Sequence, residues 1–227
     1  MNRAALARTP LGAIVRAGRK TIHIGRYRIT RSGPPPAAWK RRYLARTLRA
    51  HSLDYFVETG THLGDTVAHL RHNYLAAWTI EIDAELHTRA VERFAFDDHV
   101  HVLHGDSGAL LPGVIRDLPG PTLFWLDGHW SGAGTGCGDV DTPISAELDA
   151  ILSDSRKHVI VIDDAREFGQ GDYPPIRDII QAVADKRAGY TVNVADDMVT
   201  IAPGDTGRRQ HENTVREDSR QGGVGRR

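Results

Sequence analysis

Along the middle of the chain, apolar residues fall into short, nearly continuous runs separated by stretches of helical spacing. The strand-like runs are LDYFVET (53–59), AWTIEI (77–82), HVHVLHG (99–105), TLFWLD (122–127) and KHVIVID (157–163). Helical patterns come after them at 65–71, 84–94, 107–116, 143–152 and 174–186, the fourth with Thr142 placed as N-cap and Pro143 at the first helical position. Strands this uniformly apolar, alternating with helices, predict a parallel sheet covered on both faces. The rhythm breaks at the end, where YTVNV and MVTIAP flank Ala195-Asp196-Asp197 as a short hairpin connection. The expected architecture is α/β: a Rossmann-like, doubly wound sheet of seven strands, mostly parallel, with an antiparallel last strand.

The two ends read differently. SGPPPAAW (32–39) favours extended backbone and marks a boundary. It leads into WKRRYLARTLRAH, where Trp39, Tyr43, Leu44 and Leu48 predict a basic helix near 38–50, packed on the domain after it. Residues 203–227 have almost no large apolar side chains to offset their ordering entropy, and are expected to be a disordered tail. The organisation expected is a basic N-terminal extension (1–50), one domain (51–202) and the tail.

Net charge is zero, but its distribution is not even. Residues 1–50 carry 13 Lys and Arg and no Asp or Glu, whereas 51–202 carry 10 basic and 25 acidic residues. The basic extension can therefore fold back on an acidic body, contact an acidic surface outside the chain, or act as an organelle-targeting leader. No apolar run approaches the roughly 18 residues of a membrane span. A single cysteine, Cys137, rules out an intrachain disulfide and fits a reducing compartment, so the cytoplasm is the expected location. Oligomeric state has no signature here, and a homo-oligomer is compatible with the sequence.

In an open parallel sheet, ligands lie at the carboxyl ends of the strands, beside the reversal of strand order. Those ends are polar in this chain. ETGTHLGDT (58–66) places Gly60 and Gly64, which admit close backbone approach, ahead of a helix N-terminus. It is neither G-x-G-x-x-G nor a P-loop. Glu81 comes next, at the spacing of an acid that accepts from ribose hydroxyls, while Asp83 fits an N-cap. Asp106 and Ser107 can meet an adenine amino group or cap the next helix. Asp127, Asp163 and Asp164 converge on one rim, where three carboxylates require a neutralising cation. All-oxygen ligation suits Mg²⁺; the rival reading has Asp164 capping a turn or pairing with Arg166.

These motifs resemble those of class I S-adenosylmethionine-dependent methyltransferases over roughly residues 50–202, most closely the metal-dependent O-methyltransferases of catechol type and those acting on macrolide sugars. VETGTHLGDT is similar to the family's first motif, which implies cofactor contacts for Glu58, Gly60, Thr61, Gly64 and Thr66. TIEID resembles the ribose-binding segment, implying that role for Glu81, and HGDS the adenine-side segment with Asp106 and Ser107. LDGHW is similar to the stretch that carries the first metal ligand, here Asp127, which also borders the cofactor. IDDAR stands where that family has Asp-Asn, implying Asp163 and Asp164 as the other metal ligands. The sequence offers no clear counterpart of the catechol family's catalytic lysine, and His129 is the expected local replacement as general base, its alternative a hydrogen bond within the loop.

The resemblance implies a divalent-metal-assisted O-methyltransferase that uses S-adenosylmethionine and Mg²⁺. The acceptor would be a hydroxyl of a sugar, a phenol or another small natural product. Arg166, Phe168 and Tyr173 would shape its pocket, with residues 131–139 as a loop beside it. Three alternatives stay open: a metal-independent class I methyltransferase, an NAD-binding Rossmann enzyme, and a nucleic-acid-binding protein using the basic extension.

Overall fold

The computed structural model describes Tyr27 and residues 33–128 and 143–204. Helix α1 (Ala37–Ala50) precedes an alternation of β1 (Tyr55–Thr59), α2 (Asp65–Leu70), β2 (Ala76–Glu81), α3 (Ala84–Arg93), β3 (Val100–His104), α4 (Ser107–Asp117) and β4 (Thr122–Leu126). After residues 129–142 come α5 (Ile144–Ser153), β5 (Val159–Ile162), a 3₁₀ turn (Ala165–Glu167), α6 (Ile176–Lys186), β6 (Tyr190–Ala195) and β7 (Met198–Pro203). The seven strands form one sheet in the order β3-β2-β1-β4-β5-β7-β6, with β7 antiparallel to both neighbours and the other pairs parallel. This is the seven-stranded sheet that the apolar runs predict.

The pleat sorts the core into two layers, because successive residues of a strand face opposite sides. Phe56, Leu123, Trp125, Val159 and Val161 pack with Leu44, Ala45 and Leu48 of α1 and Val67 and Leu70 of α2. Val57, Phe124, Leu126, Ile160 and Ile162 pack on the other face with Leu111 and Ile115 of α4, Leu148 and Ile151 of α5, and Ile179 and Val183 of α6. Strands β4 and β5 are buried at every position, which is why they read as unbroken apolar runs.

Local chemistry sets the element ends. Asp83 caps α3 by accepting from the Glu85 and Leu86 amides at 2.9 Å each, and Asp106 caps α4 by accepting from Gly108 at 2.7 Å. The β6–β7 connection is two residues, Asp196 and Asp197, both left-handed (φ 52° and 59°), the backbone of a type I′ turn. Pro143 is itself the N-cap residue of α5, so the helix begins one position later than expected. Thr142 and the tail beyond residue 204 lie outside the described residues. No described helix is long and apolar enough to cross a membrane.

Candidate functional site at the carboxyl ends of the strands

Strand order reverses between β1 and β4, and there the two chain exits cross in contact. Beyond β1 the ladder continues, Gly60 and Thr61 both donating to the Ile80 carbonyl. Gly60 (φ +82°) lies so close to β4's exit that a Cβ would stand 2.5 Å from the Asp127 carbonyl oxygen. Gly128 is also tight but less so, its Cβ position 3.1 Å from the Thr59 side chain. Gly64 plays another part. It is the left-handed residue preceding α2, and a Cβ there would meet the Phe94 ring at 2.8 Å, so it is a packing glycine.

Beneath this turn runs a buried polar chain. Thr79 donates to Glu58 Oε2 at 2.9 Å, so the 2.6 Å contact between the Thr61 and Thr79 hydroxyls has Thr61 as donor. Thr61 thus points its hydroxyl back into the sheet. Thr66, from the first turn of α2, also hydrogen-bonds Glu58. Burial pushes the Glu58 carboxyl up to about 8 against the pull of both hydroxyls, with the nearby Glu81 charge adding to the rise.

At the tip of β2, Glu81 is held by the backbone on both oxygens. Oε2 accepts from the His62 amide at 2.6 Å, and Oε1 from the Asp83 amide at 3.0 Å. The carboxylate is 5% exposed and pinned against the β1 turn. At the tip of β3, Asp106 is exposed and engaged as a cap, with Ser107 buried behind it as the first residue of α4.

Two of the three acids come side by side, since Leu126 is paired with Ile162 and Asp127 and Asp163 come directly after them; Asp164 follows in a left-handed turn. The cation beside them is Lys40. Its ammonium bonds Asp163 Oδ2 and lies 3.5 Å from Asp164 Oδ1. Burial pulls the Lys40 ammonium down, but Asp163, Asp164 and Asp127 together outweigh it and hold it above its ordinary value. Burial likewise raises the Asp163 carboxyl against the pull of Lys40; facing three acids, the ammonium stays charged. Asp163 Oδ1 accepts from the Asp164 amide at 2.8 Å. Asp164 takes a left-handed conformation (φ 52°) and pairs with Arg166 at 2.8 Å, while Arg166 also bridges to Asp197.

This donor set does not fit a divalent metal as arranged. Both Asp163 oxygens and Asp164 Oδ1 are taken by an ammonium, a backbone amide and a guanidinium, and no group of three or more metal-capable side chains is gathered among the described residues. The structure does not show the expected Mg²⁺ site: Lys40 is the cation beside Asp163 and Asp164, and the Asp164–Arg166 pairing stands in the geometry.

Sequence reasoning missed Lys40 and Glu147. Lys40, Leu44 and Leu48 recur every four residues, so the lysine tops the buried stripe of α1. Glu147 shares its helix face with Ile144, Leu148 and Ile151. It is 1% exposed and lines a small cleft with Asp163, Tyr173 and Gly128. An acid or base set into an apolar helical stripe was the available signal in both cases. Phe168 meets Tyr173 edge-on at 5.5 Å on the same rim. His129, Cys137 and the loop at 131–139 lie outside the described residues.

No family model matches the chain, and no curated protein is detectably similar to it in sequence. Solved structures are similar in fold. The O-methyltransferase from Bacillus cereus, in complex with S-adenosylhomocysteine, superposes with a TM-score of 0.54 at 16% identity, over 75% of this chain and 83% of that one. The O-methyltransferase TomG from Streptomyces achromogenes, involved in tomaymycin synthesis and bound to S-adenosylmethionine, gives 0.52 at 15% identity, over 82% and 89%. An S-adenosylhomocysteine-bound methyltransferase from Podospora anserina gives 0.50 at 18% identity, over 82% and 87%. Strand order, the antiparallel seventh strand and these likenesses together make the fold that of the class I methyltransferases.

Proposed function

We propose that this chain transfers the methyl group of S-adenosylmethionine to a hydroxyl oxygen of a small molecule, in the class of sugars, phenols or natural-product alcohols. The observation that carries the reading is Glu81: a carboxylate at the β2 tip, fixed by two backbone amides beside the glycine turn of β1. Each of its oxygens has a second lone pair free of those amides, the geometry needed to accept from two vicinal ribose hydroxyls. The similarity in fold to three methyltransferase structures, two of them O-methyltransferases, supports the same reading.

When bound, the cofactor supplies an electrophilic methyl group, so the chain's work is alignment and solvent exclusion. Gly60 and Gly128 let the β1 and β4 exits lie in contact, closing the floor of the cleft. Glu58 and Thr66 are placed for the methionine end, Asp106 and Ser107 for the base. Asp127 stands between the cofactor and acceptor sides, and His129, two residues beyond it, is the proposed proton acceptor.

Isothermal titration calorimetry tests the donor. S-adenosylmethionine and S-adenosylhomocysteine are expected to bind saturably and NAD not at all. Glu81→Ala removes two charge-assisted hydrogen bonds and is expected to weaken binding by about 2–3 kcal/mol, roughly 30- to 150-fold. Binding of NAD in preference to either sulfur ligand, or an E81A protein with unchanged affinity, refutes the proposal.

A further inference from the structure

The methyl donor accounts for one side of the cleft; the other side is organised around a residue that lies outside the expected motifs. Lys40 comes from the helix preceding the sheet, 123 positions before its partner Asp163. Side-chain exposure is 16% for Lys40 and 3% for Asp163, so the pair is largely withdrawn from water. Breaking such a pair leaves an uncompensated buried charge.

The helix that delivers the ammonium is tied down on both sides of it. Trp39 Nε1 donates to Asp196 Oδ2 at 3.0 Å, and the Tyr43 hydroxyl meets Thr200 Oγ1 at 2.7 Å. Tyr27 adds a hydrogen bond to the same Asp196 and an edge-on contact with the Trp39 ring. These contacts fix α1 against the β6–β7 hairpin, so Lys40 reaches the rim from a rigid element. Two of its three N–H bonds are directed to Asp163 and Asp164, and an ammonium has one more to give.

We infer that Lys40 is the resident cation of the acceptor side of this cleft, and that Asp127, Asp163 and Asp164 are arranged to hold an ammonium in place of a divalent metal ion. That this side receives an acceptor rests on the methyltransferase reading; the preference for ammonium over metal does not. A divalent ion would have to displace Lys40 from Asp163 and strand the ammonium in a site closed on two sides by α1's own anchors. The pair also joins the first described helix to the cleft, so α1 is part of the site.

The test uses the full chain and Mn²⁺ as the probe, a paramagnetic ion with the same preference for oxygen ligands as Mg²⁺. Electron paramagnetic resonance tracks free Mn²⁺ during titration of wild type, Lys40→Gln and Lys40→Arg, and melting temperatures are read with and without the ion. The wild type is expected to show no saturable site up to millimolar Mn²⁺ and no change in melting. K40Q melts lower and regains part of the loss with Mn²⁺, which enters the vacated carboxylates; K40R recovers most of the loss without it. Stoichiometric Mn²⁺ binding by the wild type, a K40Q protein that Mn²⁺ does not rescue, or a K40R protein no better than K40Q each overturns the inference. Should K40Q fail to fold, the wild-type titration and K40R still decide it. Calorimetry with S-adenosylhomocysteine on the wild type reads the donor site separately.

Discussion

Gly60→Ala is expected to destabilise the fold by about 4–5 kcal/mol and to abolish cofactor binding in whatever protein remains folded. Two effects add. A left-handed backbone (φ +82°) costs an alanine roughly 1–2 kcal/mol, and forcing a methyl group into filled space typically costs about 1–3 more. The second term sits at the top of its range because the obstacles are backbone atoms: the Asp127 carbonyl oxygen at 2.5 Å, its carbon at 2.9 Å and Gly128 Cα at 3.0 Å. No rotamer change relieves them; β1 and β4 must part. Gly189→Ala is the matched control, with φ +83° and nothing within 4 Å of the added methyl. Urea unfolding of both variants isolates the crossing contact as their difference. Equal losses in the two would mean that the β1 and β4 exits are not in contact.

What could be read from the sequence depended on the range of the interactions involved. The strands were readable because β1, β4 and β5 are buried on both faces, and burial on both faces leaves few polar positions to interrupt the run. Boundaries fell close to their expected places because caps are local: Asp83 and Asp106 bond to amides two or three positions ahead. Convergence of Asp127 with Asp163 came from placing their strands side by side. The place of Lys40 in an apolar stripe was legible but its partner was not, because nothing local links a lysine in an arginine-rich helix to a carboxylate 123 residues later. With that pairing out of view, a metal was the obvious cation. Gly64 was read for ligand approach, and its packing against Phe94, the C-cap residue of α3 thirty positions on, was not legible. In both cases the partner could not be read, since pattern carries the face of an element but not what the fold lays against it.

Glu58 should contribute a loss of stability as pH rises from about 4.5 to about 8, read as the difference between wild type and Glu58→Gln. The difference is the quantity to read because buried His158, held down to about 4, contributes in the opposite sense up to its ordinary value. The folded-state carboxyl of Glu58 is raised by burial from 4.5 to about 8. Below the lower value both folded and unfolded chains hold the proton and the contribution is fully present. Between the two values the unfolded chain has lost the proton while the folded one keeps it, so the Glu58 contribution declines by about 1.4 kcal/mol per pH unit. Across the window the loss is on the order of 4–5 kcal/mol, complete above the folded value. Glutamine keeps an acceptor oxygen for Thr79 and Thr66 but does not ionise, so the mutant's unfolding free energy lacks this slope. Urea midpoints of wild type and E58Q, measured from about pH 5 to about pH 8.5, check the sign; parallel curves would show that Glu58 is ionised in the folded chain at neutral pH. The same carboxyl gives the proposed ligand site a signature. A cationic ligand bound at the methionine end favours the ionised form, so binding near neutral pH should release up to one proton. The enthalpy of S-adenosylmethionine binding should then vary with the ionisation enthalpy of the buffer in the wild type, and this variation should be lost in E58Q.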